Sequence, residues 1–306
     1  MASPSSSTVG SSPAAPPTAR RPVVVRARLL PWRLPEPLAR EAVAAGPHGV
    51  VVAGGMLRDG SSTGSAYELD LRGGHVRALP DLPVAVHDVA GVHTAAGFEV
   101  MGGGNTSEQS VVQVLDGQRR WRMAQALPTA RSDLAAVSAG GRVQVIGGYD
   151  GSSPALAEVL QSTQDGAWRV TGRLPVPVRY PAVAVSGGGI WVIGGERSGA
   201  MVTTIQRIDI ATGRVRIVAR LPAPLGHAIA VTFGRRILVV GGRTSPDHVT
   251  STMWWFDPSS RSLRRAGRLP TPLADSAVVV ANGSAYLLGG ETPQVSDHVL
   301  RLTPRP

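Results

Sequence analysis

The chain has 306 residues, of which 42% are hydrophobic and only 4% are aromatic. It contains no cysteine, which excludes disulfides, iron–sulfur clusters, cysteine zinc sites and thiol nucleophiles. The formal net charge is +10, and because the sequence has no lysine, arginine supplies all 31 basic side chains. Many of these arginines fall in segments that we expect to be exposed sheet edges, where charge discourages edge-to-edge pairing. We therefore interpret the charge as edge protection, with a polyanion-binding rim as the alternative, and do not expect a nucleic-acid partner.

The first 21 residues differ in composition from the rest of the chain. Residues 1–21 are rich in serine, proline and alanine and have no apolar stretch, so they predict a disordered tail. The pair Arg20-Arg21 superficially resembles a twin-arginine export signal, but residues 23–30 are interrupted by two arginines and lack a signal peptide's apolar core. No stretch approaches the length of a membrane span. We expect a soluble, cytoplasmic protein.

From residue 34 onward, a Leu-Pro pair and a Gly-Gly pair recur six times. The prolines are Pro35, Pro83, Pro128, Pro175, Pro222 and Pro270, and the second glycines are Gly55, Gly103, Gly148, Gly195, Gly242 and Gly290. Each second glycine lies 20 residues after its proline, and successive prolines are 45 to 48 residues apart. A period of this length is typical of propeller blades rather than helical solenoids.

Each repeat contains the same succession of short apolar runs. Two runs joined by a glycine-bearing turn, such as residues 134–137 and 143–146, precede the glycines and predict two buried inner strands. A third run follows a polar loop and ends in an acid at Asp70, Asp116, Asp209 and Asp257. A fourth carries a large apolar residue at Val76, Trp121, Trp168, Val215 and Leu263. Four antiparallel strands make one propeller blade, and the third strand of repeat three, around residues 159–161, is the weakest.

The sixth repeat supplies only three strands, because the sequence stops at Pro306 soon after residues 297–302. Its missing outer strand is available at the other end, where residues 22–30 lead into the first Leu-Pro pair. We expect the N-terminal strand to close the last blade, which leaves no incomplete blade in the ring. Residues 22–306 would then form one monomeric propeller.

This pattern resembles the kelch repeat, in which Gly-Gly follows a hydrophobic strand, an acid ends the next strand and tryptophan precedes Leu-Pro. The third repeat shows it most fully, with Gly148, Asp165, Trp168 and Pro175. The resemblance implies an all-β fold: a six-bladed kelch-type β-propeller of four-stranded antiparallel blades, like the central domain of galactose oxidases. Those oxidases bind copper beside a tyrosine cross-linked to cysteine, which this chain lacks. Kelch propellers include enzymes, scaffolds and adaptors, so the fold alone does not give a function.

If the blades superpose, equivalent positions meet around the central channel. Five residues after each Leu-Pro proline the chain has Arg40, Asp88, Asp133, Tyr180, His227 and Asp275, all of them polar. The residues just before these include His87, Ser132 and Arg179. The kelch resemblance implies that the residues after the Gly-Gly pairs open on the same face, which adds Tyr149, Glu196, Arg243 and Glu291. We expect these side chains to form a channel mouth that could bind a polar ligand.

Two functions fit such a mouth. The first is a non-enzymatic scaffold that binds an unidentified protein or small polar ligand through the mouth loops. The alternative is a sugar or sugar-acid enzyme, by resemblance to the bacterial sialic-acid mutarotase and epimerase propellers. In that case Arg179 or Arg243 would hold a carboxylate, and Glu196 or Asp133 would move a proton. Mouth residues that prove to be buried and paired with one another would weaken both interpretations.

Other motifs give weaker signals. Residues Gly60 to Gly64, with the sequence Gly-Ser-Ser-Thr-Gly, match a nucleophile-elbow pattern but sit in a polar loop rather than between a strand and a helix. The seven histidines show no metal-ligand spacing, and calcium-loop and phosphate-loop signatures are absent. We expect neither a metal nor a cofactor, and the sequence assigns no catalytic residue.

Overall fold

The computed structural model describes residues 24–46 and 49–305, and their regular structure consists of β-strands. The predicted tail, residues 1–21, lies outside the described residues. Within the described ranges no helix is long and apolar enough to cross a membrane.

Six four-stranded antiparallel sheets form the blades of a six-bladed propeller, as the repeats predicted. In each blade the strands are lettered a to d from the channel outward, and their bounds are as follows. Blade 1 has Ala42–Gly46, Gly49–Ala53, Ala66–Leu69 and Val76–Ala78; blade 2 has Ala90–Thr94, Gly97–Met101, Val112–Leu115 and Trp121–Met123; blade 3 has Ala135–Ala139, Arg142–Ile146, Glu158–Ser162 and Trp168–Arg173. Blade 4 has Ala182–Ser186, Gly189–Ile193, Thr204–Asp209 and Val215–Arg220; blade 5 has Ile229–Phe233, Arg236–Val240, Thr252–Asp257 and Ser262–Arg268; blade 6 has Ala277–Ala281, Ser284–Leu288, His298–Arg305 and Val24–Arg33.

Two further hairpins follow the Gly-Gly pairs of blades 4 and 5. One pairs Glu196–Arg197 with Ala200–Met201, and the other pairs Arg243–Ser245 with His248–Val249. The third strand of blade 3, which the sequence predicted only weakly, forms over Glu158–Ser162 and pairs with both of its neighbours.

The N-terminal strand closes the last blade, as predicted. Val24–Arg33 runs antiparallel to His298–Arg305, with Val24 opposite Arg305 and Leu29 opposite Leu300. The first strand of the described chain thereby becomes strand d of the last blade, so the two ends of the propeller are held together by a sheet.

The apolar core of the described residues lies between the blades. Strand b of blade 5 is fully buried along Ile237–Val240, and its side chains point alternately toward one neighbouring blade and the other. Ile237 and Val239 pack with residues of blade 4, whereas Leu238 and Val240 pack with residues of blade 6. A strand covered on both faces needs a continuous apolar run, which explains the uninterrupted second runs of the repeats.

The Gly-Gly pairs connect each blade to the next one. The second glycine of each pair donates its backbone N–H to the carbonyl oxygen of the residue three positions after the next blade's Leu-Pro proline. The six bonds are Gly55 to Val86, Gly103 to Arg131, Gly148 to Val178, Gly195 to Leu225, Gly242 to Leu273 and Gly290 to Leu38, at 2.8 to 3.0 Å. A Cβ added to the first glycine would lie only 2.0 to 2.7 Å from that same oxygen. The pair is glycine because the neighbouring blade's backbone occupies the space of a side chain.

The acids that end the third strands make turns. The carboxylate of Asp116 accepts backbone N–H bonds from Gln118 at 2.9 Å and Arg120 at 3.0 Å, and Asp257 accepts one from Ser259 at 2.9 Å. Such bonds replace backbone partners in the reversal between strands c and d. The acid of the repeat pattern is therefore a turn residue.

The outermost strands have edges that disfavour pairing with another sheet. They carry arginines and no acidic residue in the described chain. In blades 3, 4 and 5 the pairing of strands c and d also contains a bulge. Charge and bulges both discourage strand addition at an exposed edge.

Neighbouring valines of the N-terminal strand test the closure. Val25 is 5% exposed and packs with Leu300 and Leu302, whereas Val24 is 58% exposed. We expect Val25→Asp to lower the free energy of unfolding by about 3 kcal/mol or more, because it buries an unpaired carboxylate. Val24→Asp should change it by about 0.5 kcal/mol or less. Denaturant unfolding followed by circular dichroism measures both, and equal effects of the two substitutions would contradict the closure.

Candidate functional site

The residues five positions after the Leu-Pro prolines form a backbone ring at one end of the channel. Arg40, Asp88, Asp133, Tyr180, His227 and Asp275 all adopt left-handed backbone conformations, with φ between 50° and 61°. This conformation is uncommon for residues other than glycine. The structure records an N–H···O=C bond from one member to the member on the preceding blade at five junctions, at 2.8 to 3.1 Å. These bonds hold one polar side chain from each blade at the channel.

The residues before the ring pair with the residues after the Gly-Gly pairs. The six bridges are Ala39 with Met56, His87 with Gly104, Ser132 with Tyr149, Arg179 with Glu196, Gly226 with Arg243, and Ala274 with Glu291. The structure thus brings all thirteen candidate residues to the same end of the channel. Ten of them interact closely and are called the mouth cluster below: Arg40, Asp88, Asp133, Arg179, Tyr180, Glu196, His227, Arg243, Asp275 and Glu291.

Arg40 crosses the channel. From blade 1 its Nη1 donates to Tyr180 Oη on the opposite blade 4 at 3.1 Å and lies 3.2 Å from Asp88 Oδ2. Its Nε donates to Glu291 Oε1 at 2.9 Å. Burial opposes the charge of Arg40, but the carboxylates of Asp88, Asp275 and Glu291 outweigh burial and raise the pKa of the guanidinium. Arg40 is therefore a permanent cation that links blades 1, 2, 4 and 6.

His227 lies between two carboxylates. Its Nδ1 is 2.6 Å from Asp275 Oδ1, its Nε2 is 3.1 Å from Glu196 Oε2, and its ring stacks on Tyr180 with the centroids 3.9 Å apart. Burial lowers the pKa of His227, but Asp275 and Glu196 outweigh it and raise the value to about 9. The imidazolium can then donate a hydrogen bond from each nitrogen.

The other two arginines of the mouth cluster are also paired. Arg179 donates to Glu196 Oε1 from Nε at 3.0 Å and from Nη2, and its Nη1 lies 3.5 Å from Asp133 Oδ2. Its guanidinium also lies over the ring of Tyr149 at 5.0 Å. Arg243 donates to Asp275 and Glu291. Each arginine of the mouth cluster thus contacts at least two carboxylates.

The chain carries a kelch-type sequence signature as well as this geometry. The family described as "Kelch motif" matches residues 224–270, which span strands a to d of blade 5 and cover one full period of the repeat. One blade of this six-bladed β-propeller therefore matches the kelch motif. Among solved structures it is similar to the one titled "Structure of YjhT", with a TM-score of 0.77 and 16% sequence identity over 90% of this chain and 99% of that one. At this identity the likeness shows the fold alone. No curated protein matches the chain in sequence.

The carboxyl groups at the mouth of the propeller do not all ionise alike. The hydrogen bond from His227, with help from Arg179, lowers the pKa of Glu196 to about 2. Burial, reinforced by the charge of Asp88, raises the pKa of Asp133 to about 7. Burial also raises the pKa of Asp88, although Arg40 and His87 oppose it. Within the described residues no three His, Asp or Glu side chains are arranged to hold a metal ion.

Glu41 is a buried acid beside the mouth cluster that the sequence analysis missed. It is 5% exposed, and neither carboxyl oxygen has a well-formed hydrogen bond within the described residues. Burial raises its pKa to about 8, the charge of Asp275 adds to this, and the nearby backbone N–H groups of Glu41 and Ala277 offset only part of it. Equivalent positions of the other repeats have Val89, Leu134, Pro181, Ala228 and Ser276, so an alignment of the repeats singles out the glutamate.

His227 makes stability depend on pH above neutrality. The pKa of His227 is raised from 6.5 to about 9, because the folded state favours its charged form. The stabilisation that this charged form gives the fold is therefore complete below pH 6.5 and is lost as the pH rises through 9. The difference in unfolding free energy between the native protein and His227→Gln should therefore shrink by about 3 kcal/mol over this window. Denaturant unfolding at a series of pH values measures the difference. The control is His248→Gln, an exposed histidine, and a pH-independent difference for His227→Gln would contradict the assignment.

Glu41 should make stability depend on pH over a lower window than His227 does. A folded-state pKa of about 8 against an ordinary value of 4.5 means that the native state binds the proton more tightly, so stability falls as the pH rises from 4.5 to 8. Glu41→Gln cannot ionise. The stability of this variant relative to the native protein should rise across this window by up to about 5 kcal/mol. The same titration of unfolding free energy checks it with exposed Asp247→Asn as the control, and a flat difference would show that Glu41 ionises normally.

Proposed function

We propose that this β-propeller is a binding scaffold that recognises its partner through the exposed loops around the mouth. The observation that carries the proposal is that exposed polar loops stand on fixed bases around the mouth. The arginines and carboxylates of the mouth cluster pair with one another, which weakens direct binding by the cluster itself. Its carboxylates are largely buried: Asp133 is 5% exposed and Glu196 is 6% exposed. Partner recognition then falls to the loops that stand around the cluster.

The pairing of charges disfavours the capture of a small anion. A ligand carboxylate that approached Arg179 would have to displace Asp133, which would leave a buried carboxylate without its cation, or compete with Glu196. Breaking a buried ion pair from one side typically costs several kcal/mol. The positive charges of the mouth cluster are therefore engaged within the protein.

The loops after the Gly-Gly pairs, in contrast to the mouth cluster, are exposed to solvent. In blade 4 residues 197–200 are exposed, and in blade 5 residues 245–248 are exposed, each at the tip of a short hairpin. Residues 105–107 of blade 2 and 58–61 of blade 1 are exposed as well. These tips are polar, and their bases are fixed by bridges to the innermost segments. Polar loops on a rigid frame are a common means of binding partners.

One observation favours the alternative of a sugar-acid enzyme. Asp133 has a pKa of about 7, which suits a general acid or base, and it lies 3.5 Å from Arg179. Glu196 suits that role poorly, because its pKa of about 2 makes it a weak base. The alternative therefore depends on Asp133, and a ligand would have to reach a side chain that is almost completely buried.

The proposed binding can be tested by site-specific photo-cross-linking. A benzophenone amino acid would replace Arg197 or Asp247 at the two hairpin tips, and Arg264 on the outer strand of blade 5 as the matched exposed control. We expect discrete cross-linked products of one size from both loop positions in cells that produce the protein, and none from Arg264. Mass spectrometry of the product identifies the partner.

The position of the cross-links, together with a thermal-shift measurement, distinguishes the scaffold from the sugar-acid enzyme. Cross-links that arise only from Arg264 would contradict binding through the mouth loops. A thermal shift of the native protein with a sugar acid would support the enzyme instead if Asp133→Asn abolishes the shift and the variant substituted at Arg197 retains it. Ligand at 100 times its Kd stabilises a fold by about 2.7 kcal/mol, which is readily seen in a melting curve.

A further inference from the structure

The loop after the first Gly-Gly pair contains a serine whose surroundings the scaffold function does not explain. Ser62 is the central residue of the Gly-Ser-Ser-Thr-Gly segment at residues 60–64. It bridges to Met56 at the base of the loop, and no strand-to-helix elbow is present there. The loop instead places Ser62 against the segment that leads into blade 2, where it meets His87.

Ser62, His87 and Asp88 form a chain of polar contacts. Ser62 Oγ lies 2.8 Å from His87 Nδ1, and His87 Nε2 lies 3.4 Å from Asp88 Oδ2. The carboxylate of Asp88 is in turn held by Arg40 Nη1 at 3.2 and 3.4 Å. A hydroxyl within hydrogen-bond reach of an imidazole, with a third group beside the far nitrogen, is the arrangement of an activated nucleophile, and it is recognised by geometry rather than by sequence position.

The carboxylate determines which nitrogen of His87 can act as a base. A neutral imidazole carries one proton, and the charge of Asp88 favours that proton on Nε2. Nδ1 is then left with a lone pair that can accept the hydroxyl proton of Ser62. Among the residues that the structure describes, the other acceptor for that hydroxyl is the carbonyl oxygen of Gly104 at 3.3 Å, which is farther away.

The trio is also reachable from solvent. The side chain of His87 is 18% exposed and Ser62 is partly exposed, whereas the side chain of Asp88 is only 7% exposed. The reacting groups are therefore partly open to solvent, whereas the orienting carboxylate is buried.

We propose that Ser62 is a nucleophile, activated by His87, that accepts acyl groups from carboxylic esters. The Oγ–carbon bond forms as the ester carbon–oxygen bond breaks, and His87 takes the serine proton and passes it to the departing alkoxide. Water then attacks the acyl carbon while His87 takes a proton from it. The Oγ–carbon bond breaks, His87 passes that proton to Ser62 Oγ, and the carboxylic acid is released. This inference does not rest on the proposed scaffold function, because it adds a covalent reaction to the same face.

A fluorophosphonate probe tests the nucleophile on the intact protein. Attack by Ser62 would form an Oγ–phosphorus bond and expel fluoride, with His87 taking the hydroxyl proton. Peptide mass spectrometry should then find the added mass on Ser62 and not on Ser61. General-base assistance is worth about 100-fold or more, so we expect labelling of Ser62 to be at least about 100 times faster than that of Ser61.

The neighbouring serine provides the matched control. Ser61 is exposed and its Oγ donates to Asp59 Oδ1 at 2.6 Å, so Ser61→Ala should leave labelling unchanged. Ser62→Ala should abolish labelling, and His87→Gln should slow it by about 100-fold. Equal labelling of the two serines in the native protein, which requires no variant to fold, would overturn the proposal. So would labelling of Ser62 that is unaffected in a folded His87→Gln protein.

Discussion

The backbone hydrogen bond from the second glycine of each Gly-Gly pair to the next blade is the contact on which the rest of the propeller depends. It is present at all six junctions, including the one between Gly290 and Leu38 that joins the last blade to the first. The first glycine could not carry a side chain, because a Cβ at Gly194 or Gly289 would lie 2.0 Å from the neighbouring carbonyl oxygen. The constant distance of 20 residues follows from this contact. Two strands and a tight turn must return the chain to the point where it meets its neighbour, whereas the outer strands and loops are free to vary in length.

The same constraint creates the mouth. Two residues after each accepting carbonyl the chain turns through a left-handed conformation, and five of the six junctions add a bond along the resulting ring. Conformations of this kind cost free energy and persist only where surrounding contacts enforce them. The ring therefore forces six polar side chains into one narrow space. Charges so close together and so poorly hydrated must neutralise one another, and the arginines of the mouth cluster do so by each contacting two or more carboxylates.

The repeats made the fold predictable, because each copy repeats the same glycine, proline and strand signals and six copies reduce the ambiguity of any single run. Positions at the mouth could be named for the same reason. Their partners could not, since the contact between Arg40 and Tyr180 joins opposite blades, and no spacing in the sequence encodes which side chains meet across a channel. Glu41 was overlooked although its repeat position is otherwise apolar or small. The contact between Ser62 and His87 depends on how a loop of blade 1 folds against blade 2, which the sequence does not reveal. The Gly-Ser-Ser-Thr-Gly pattern lies in a polar loop, and on that ground alone it did not predict a nucleophile.

Asp88 connects the interior of the mouth to its surface. One of its oxygens lies near both Arg40 and His87, so the ion pair beneath the mouth and the imidazole beside Ser62 share one negative charge. Protonation of Asp88, which burial favours, would weaken its hold on Arg40 and remove the preference for the proton on His87 Nε2 together. The lone pair that faces Ser62 thus depends on the charge state of a residue inside the mouth cluster. A partner that settles on the exposed loops and excludes water from the mouth would shift that equilibrium through desolvation. The two proposed activities, binding at the rim and reaction at Ser62, would therefore both depend on the charge of one carboxylate.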